Sequence, residues 1–424
     1  MQDVATQQSA AGASLQPSRF PSGFLWGVAS AAHQVEGNNL NSDMWLVERA
    51  QPTIYREPSG DACNSFALWP TDMDLVKELG FNTYRFSLEW ARIEPEAGDF
   101  STAMLDHYRA MIEGCRDRAL VPIVTFSHFS MPRWFAARGG WINPEAPDLF
   151  ARYCDRAGRY LAASIGYAVT LNEPNIINIV PRLLPPGAAT LIAAMNAAAG
   201  RACGSTNFKA AVLPEPADVE AMEVTQLAAH KAGRAALKAV RSDLPVGASL
   251  SMSDDQAAGP GSIRDSMRQK FYGPWLESAR ADDFIGVQNY TRLIWGSEEK
   301  TAPPEGAHFS QLGTEIYAPS LAGAVRYAHE VTGVPVLVTE HGLSIDDDVV
   351  RVQFIRDSLA GLQKVVAEGV PVLGYIHWSL LESYEWLFGY AHRYGLCTVD
   401  RTSFKRTPKP SAHVLGQIAR RNSI

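Results

Sequence analysis

The sequence predicts an α/β chain folded as a (β/α)8 TIM barrel, and three observations carry that prediction. Eight short apolar runs rich in Val, Ile and aromatic residues recur along the chain. Longer segments of helical period separate them, as parallel strands with crossover helices require. The residues just after most runs are polar, and that end of the strands is where a barrel of this kind gathers its functional groups.

The elements follow in order. The first strand is expected over Phe24 to Ser30. Thr71 with Asp74 three residues later reads as a capping box opening a helix, whose apolar face is Leu75, Val76 and Leu79 and whose end is Gly80. The second strand, Asn82 to Ser87, comes directly after. Leu105, Tyr108, Ile112 and Cys115 repeat at helical spacing before the third strand, Pro122 to Ser127. The fourth is Ala168 to Leu171. Residues Pro181 to Ala221, rich in Ala and Gly and interrupted by Pro, read as an insertion between strands four and five. Strands five, six and seven are Val246 to Ser251, Phe284 to Gln288 and Val336 to Thr339. Ile355, Leu359, Leu362 and Val366 then mark a helix before Gly369, and Val372 to His377 completes the set.

Composition sets the outer limits. At 424 residues, with 46% hydrophobic and 20% charged side chains, the chain has the balance of a folded globular protein. One catalytic domain is expected over residues 19–424, behind a flexible tail at 1–18. Thirty-eight basic against 45 acidic residues give a net charge of −7, with no basic stripe for phosphates, so nucleic acid is not an expected partner. No apolar run reaches the roughly 18 residues of a membrane span, and no membrane partner is expected. Met1 to Ser18 lacks the basic and apolar regions of a secretory signal, which points to the cytoplasm. The cysteines at 63, 115, 154, 203 and 397 are scattered and odd in number, and read as buried thiols in a reducing compartment.

The strand ends carry the chemistry. Arg85 lies near the end of strand two and His128 follows strand three. Asn172-Glu173-Pro174 follows strand four, and Gln288-Asn289-Tyr290 closes strand six. Glu340-His341-Gly342 follows strand seven and His377-Trp378 strand eight. Singly, each has a structural explanation: a helix-opening acid, a turn carboxylate, a hydrogen-bonded core imidazole. Together they aim two carboxylates into one bowl amid Arg, Asn, Tyr, His and Trp. Burying so many polar groups at one end is costly unless a ligand uses them. Two carboxylates suit glycoside cleavage, one protonating the leaving oxygen and the other serving the anomeric carbon.

Five segments carry a resemblance. They are Phe20-Pro-Ser-Gly-Phe-Leu-Trp-Gly-Val-Ala-Ser-Ala-Ala-His-Gln-Val-Glu-Gly37, Tyr84-Arg-Phe-Ser-Leu-Glu-Trp-Ala-Arg92, Thr170-Leu-Asn-Glu-Pro174, Val338-Thr-Glu-His-Gly342 and Trp378-Ser-Leu-Leu-Glu-Ser-Tyr-Glu-Trp386. With them the sequence resembles glycoside hydrolase family 1, the β-glucosidase and β-galactosidase family, over nearly all of Phe20 to Ser411. The resemblance implies a retaining β-glycosidase, most simply a β-glucosidase, acting on terminal non-reducing β-D-glycosides by double displacement. It makes Glu173 the general acid/base and Glu340 the nucleophile, with Arg85 and Tyr290 holding Glu340. Gln34, His128, Asn172, Glu385 and Trp386 would bind sugar hydroxyls, and Trp378 would lie beneath the ring. Glu385 implies a neutral sugar rather than a 6-phosphoglycoside, because a phosphate would face a like charge there. No cofactor or metal is implied, and the partner is a small-molecule β-glycoside or oligosaccharide.

The sequence departs from the family pattern at His341, where Asn is usual, at Phe129, where Trp is usual, and at Gln288-Asn289 in place of an Asn-Tyr pair. A transglycosylase using the same site and a non-catalytic sugar-binding barrel are the alternative readings. A metal-dependent barrel hydrolase is disfavoured, since the usual His-x-His on the first strand is missing.

Overall fold

A computed structural model describes residues 19–182 and 184–424; the expected tail at 1–18 lies outside them. Eight parallel strands close into a barrel. They are β1 (Leu25–Ala29), β2 (Thr83–Ser87), β3 (Val121–Ser127), β4 (Tyr167–Asn172), β5 (Val246–Ser251), β6 (Ile285–Asn289), β7 (Val336–His341) and β8 (Val372–His377). Each pairs with its sequence neighbours, and β1 closes on β8 with Leu25 opposite Gly374 and Val28 opposite His377. All eight expected runs are strands, with ends displaced by two residues at most.

A helix follows every strand: α1 (Ser65–Leu79), α2 (Thr102–Asp117), α3 (Ala146–Leu161), α4 (Val219–Val240), α5 (Arg264–Ala279), α6 (Ser320–Thr332), α7 (Asp348–Ala367) and α8 (Pro410–Arg421). Leu105, Tyr108, Ile112 and Cys115 face inward from α2, as do Ile355, Leu359 and Leu362 from α7. The start expected for α1 is wrong. Thr71 and Asp74 lie in mid-helix, and α1 begins about two turns earlier, at Ser65, with Pro70 inside it. Buried Ser65 and the packing of Trp69 against Gly114 of α2 anchor this earlier stretch, overriding a local capping signal. Gly80 does end the helix, in the left-handed conformation with φ 100°.

Two apolar layers result. Inside the barrel Leu25, Ile123, Val169, Leu337 and Ile376 pack side by side and fill the lumen, and the larger core lies between strands and helices. At the base Asn422 bonds the carbonyl of Phe20 through Nδ2 (2.7 Å) and accepts from Trp26 Nε1 (2.8 Å). Cys63, Cys115, Cys154 and Cys397 are buried free thiols, whereas Cys203 is only half-buried. No helix among the described residues is long and apolar enough to cross a membrane.

The stretch between β4 and α4 holds the helix Ala188–Ala202 and then runs back over the barrel mouth. Buried Asp43 fixes its return, its carboxylate accepting from the backbone N–H groups of Met131 (3.0 Å) and Ala211 (2.9 Å). Val212 and Leu213 thereby become part of the pocket wall.

Candidate active site

A cavity of about 210 Å³ opens at the C-terminal end of the strands. Its lining includes His128, Asn172, Glu173, Tyr290, Glu340, Trp378, Glu385 and Trp386, eight of the ten residues singled out from the sequence. Arg85 and Gln34 lie beneath it, both fully buried.

Glu340 ends up in a fixed cradle. Arg85 Nη1 donates to its Oε1 at 2.5 Å, and the Tyr290 hydroxyl donates to its Oε2 at 2.6 Å. Arg85 also donates from Nη2 to Asn172 Oδ1 (2.5 Å), which accepts a second bond from Gln288 Nε2 (2.7 Å). Asn172 Nδ2 in turn donates to His128 Nε2 at 3.2 Å. That bond requires an unprotonated Nε2, and burial together with the Arg85 charge holds the His128 imidazole well below its ordinary range. The second amide hydrogen of Asn172 stays free for a ligand.

Glu173 sits opposite in character. It follows β4 in a left-handed backbone conformation, φ 43°, and its N–H bonds the Ser249 carbonyl at 2.8 Å. A non-glycine residue holds such a conformation only where its surroundings impose it, and Phe129 (φ 68°) and Trp386 (φ 50°) in the same wall do likewise. Burial and the neighbouring Glu340 charge raise the Glu173 carboxyl to about 8, opposed by a hydrogen bond with Ser251. Burial pushes Glu340 up as well, but Arg85, Tyr290 and Gln288 all favour its ionised form. The proton the pair holds near neutrality therefore belongs on Glu173.

Aromatic rings and a third carboxylate complete the bowl. Trp378 stacks on His128 at 5.6 Å, and Trp386 lies parallel to His33 at 5.6 Å. His33 is itself locked to Glu48 at 2.5 Å. Glu385 is raised well above its ordinary range by burial and by Glu340, with hydrogen bonds from Trp378, Ser383 and Gln34 opposing. Gln34 donates from Nε2 to the Tyr384 carbonyl at 2.6 Å.

Two residues here were missed from the sequence. Ser251 ends β5, the same positional signal that marked the others. Tyr394 lines the cavity edge-on to Tyr290 at 5.7 Å, with Glu385, Glu173 and Glu340 all close enough to act on its hydroxyl. It follows no apolar run, so nothing in the strand pattern points to it. Of the departures from the family pattern, Phe129 lines the cavity and Gln288 bonds Asn172. His341 instead turns away, stacked on Phe354 at 4.9 Å and bonded through Nδ1 to the Tyr375 hydroxyl.

A closed eight-stranded barrel with a carboxylate pair and sugar-sized aromatic walls at its C-terminal face defines a glycosyl hydrolase. The chain belongs to glycosyl hydrolase family 1, whose model matches residues 16–212 and 279–424. A β-glycosidase termed BGL167 has a solved structure 44% identical, with a TM-score of 0.90 over 96% of this chain and 98% of that one. The apo structure of β-glucosidase 1317 is 39% identical, with a TM-score of 0.89 over 94% and 98%. β-Glucosidase A of Thermotoga maritima is 28% identical over 96% of this chain and 99% of its own length.

Proposed function

We propose that this chain is a retaining β-glucosidase in which Glu340 is the nucleophile and Glu173 the general acid/base. The observation that carries the reading is the asymmetry of the pair: one carboxylate is clamped by a guanidinium and a phenol, while the other is buried without a cation on it and keeps a proton. In the first step a Glu340 oxygen bonds the anomeric carbon as its bond to the aglycone oxygen breaks, and that oxygen takes the Glu173 proton. The ester removes the Glu340 charge, so Glu173 loses part of what held its proton and accepts one from water. The water oxygen then bonds the anomeric carbon and Glu340 leaves as carboxylate. Asn172 offers its free amide hydrogen to the 2-hydroxyl, and Trp378 underlies the ring. Glu385 in this pocket supports a neutral hexose, since a 6-phosphate would meet a third buried acid. The free thiols support a reducing compartment such as the cytoplasm.

The test is a panel of 4-nitrophenyl β-D-glycosides, including glucoside, galactoside and glucoside 6-phosphate, with the product anomer followed by NMR. Net retention and a higher kcat/KM for glucoside than for its 6-phosphate are expected. Glu340→Ala should lose nearly all turnover and regain some with azide, as an α-glycosyl azide. Inversion by the unaltered enzyme, or an Ala variant retaining more than a few percent of activity, sinks the assignment.

A further inference from the structure

The cavity changes character between floor and mouth. Its floor is polar, but the wall above Glu173 is built from Ile176, Val180, Val212, Leu213, Leu312 and Phe388. Two of these stay substantially open to water, Phe388 at 43% and Leu312 at 36%. Large apolar side chains left exposed around a binding site point to a ligand that covers them. A second sugar fits that description poorly, because its several hydroxyls need partners and these six side chains have none to give, which leaves only the His392 ring, edge-on to Phe388 at 4.5 Å, to serve one of them. Leu213 also forms the shared wall with a second depression, of about 300 Å³, whose lining includes Pro181, Pro185, Ala189 and Ile192. Every side chain lining that depression is apolar or a glycine.

We infer that the aglycone this enzyme accepts is a long hydrocarbon, its first carbons on the apolar rim and its far end reaching past the buried Leu213 wall into the proline-walled groove. The natural substrate class is then an amphiphilic β-glucoside rather than cellobiose or a longer cello-oligosaccharide. The inference rests on the glucosidase reading above and adds the aglycone to it. Each buried methylene contributes through the hydrophobic effect, so affinity should climb with chain length until the groove is full.

Methyl, butyl and octyl 1-thio-β-D-glucosides, titrated calorimetrically into the full chain below the micelle-forming concentration, read this without turnover. Butyl should bind about tenfold or more tighter than methyl, and octyl about tenfold or more tighter than butyl. Ala189→Asp places a charge in the groove, and at the second position of its helix it suits the helix dipole, so the fold is kept. It should bring octyl down to the butyl value. In hydrolysis, octyl β-D-glucoside should exceed cellobiose in kcat/KM by about tenfold, although the sugar is the better leaving group. Affinities flat across the series, an octyl value untouched by Ala189→Asp, or faster hydrolysis of cellobiose would each overturn the inference. Hydrolysis of 4-nitrophenyl β-D-glucoside is the separate check on the glucosidase reading, and its failure would leave the calorimetric series to judge the groove alone.

Discussion

Glu173 and Glu340 are the same residue type made different by what touches them. Removing Glu173 as Ala should cost about 10² to 10⁴ in kcat/KM on alkyl glucosides, whose leaving oxygen needs a proton. Dinitrophenyl glucoside needs none, so its first step should slow far less, and equal losses on the two would refute the acid role. The pH profile follows from the same asymmetry. Activity needs the Glu173 proton, so kcat/KM should hold below the raised value near 8 and fall as pH rises through it. Glu340→Gln removes the charge that helps hold that proton while keeping the shape of the side chain. A 13C-detected titration of the Glu173 carboxyl should then show its midpoint moved downward. An unmoved midpoint would mean that burial alone sets it.

At the scale of elements, the barrel was legible because strand ends and helix faces are local patterns: apolar runs, 3.6-residue spacing, Gly80 at a cap. β5 is instructive, since it lies in the stretch 213–278 that the family model leaves unmatched, yet its run Val246 to Ser251 was readable as a short apolar run in the sequence alone. What was not legible depended on contacts distant in sequence. α1 begins at Ser65, ahead of the Trp69 contact with α2, and not where Thr71 offers a cap. Tyr394 enters the site only because the loop after β8 folds back over it. Gly342 shows how tightly the ends of β7 and β8 are joined. A Cβ there would lie 2.0 Å from the Trp378 carbonyl oxygen, while the Trp378 N–H bonds the His341 carbonyl at 3.0 Å. Neither partner is a flexible side-chain tip, so Gly342→Ala must push Trp378 off the floor of the site. A loss of about 10² in kcat/KM and about 1–3 kcal/mol of stability is expected. Gly361→Ala, in α7 with only an ordinary contact to Ala322, should leave kcat/KM unchanged. Full activity in Gly342→Ala, measured with 4-nitrophenyl β-D-glucoside, would show that the strand ends yield.

For the whole molecule, the buried ionisable groups that build the barrel mouth also set how stability depends on pH. Burial raises the carboxyls of Glu36 and Asp43 to about 7 and that of Glu173 to about 8, and raises Glu385 well above its ordinary range. For such groups the folded state binds more protons than the unfolded one above their ordinary range near 4. Their contribution is complete at low pH and is lost as pH rises through about 7 to 8. His33, raised by its partner Glu48 against the cost of burial, acts in the same direction. Five other imidazoles oppose them, His392 among them, held below its ordinary range by burial. Burial lowers His107 to about 4, His341 to about 3, and His128 and His377 well below 6.5. These are kept neutral by the fold, so their contribution is present above 6.5 and is lost as pH falls below it. Carboxyls held low, such as Glu48, act below this window. The loss from the acids begins above about pH 4 and the gain from the imidazoles ends at 6.5, so the two offset between about pH 4.5 and 6.5, and scanning calorimetry from pH 3 to 9 should find the highest Tm in that window, falling on both sides. The alkaline fall belongs to the acids at the mouth, so Glu385→Gln should shrink it while leaving the acid-side fall in place. A Tm that climbs steadily to pH 9 would show that water reaches these carboxyls and that the pocket does not hold protons as its geometry implies.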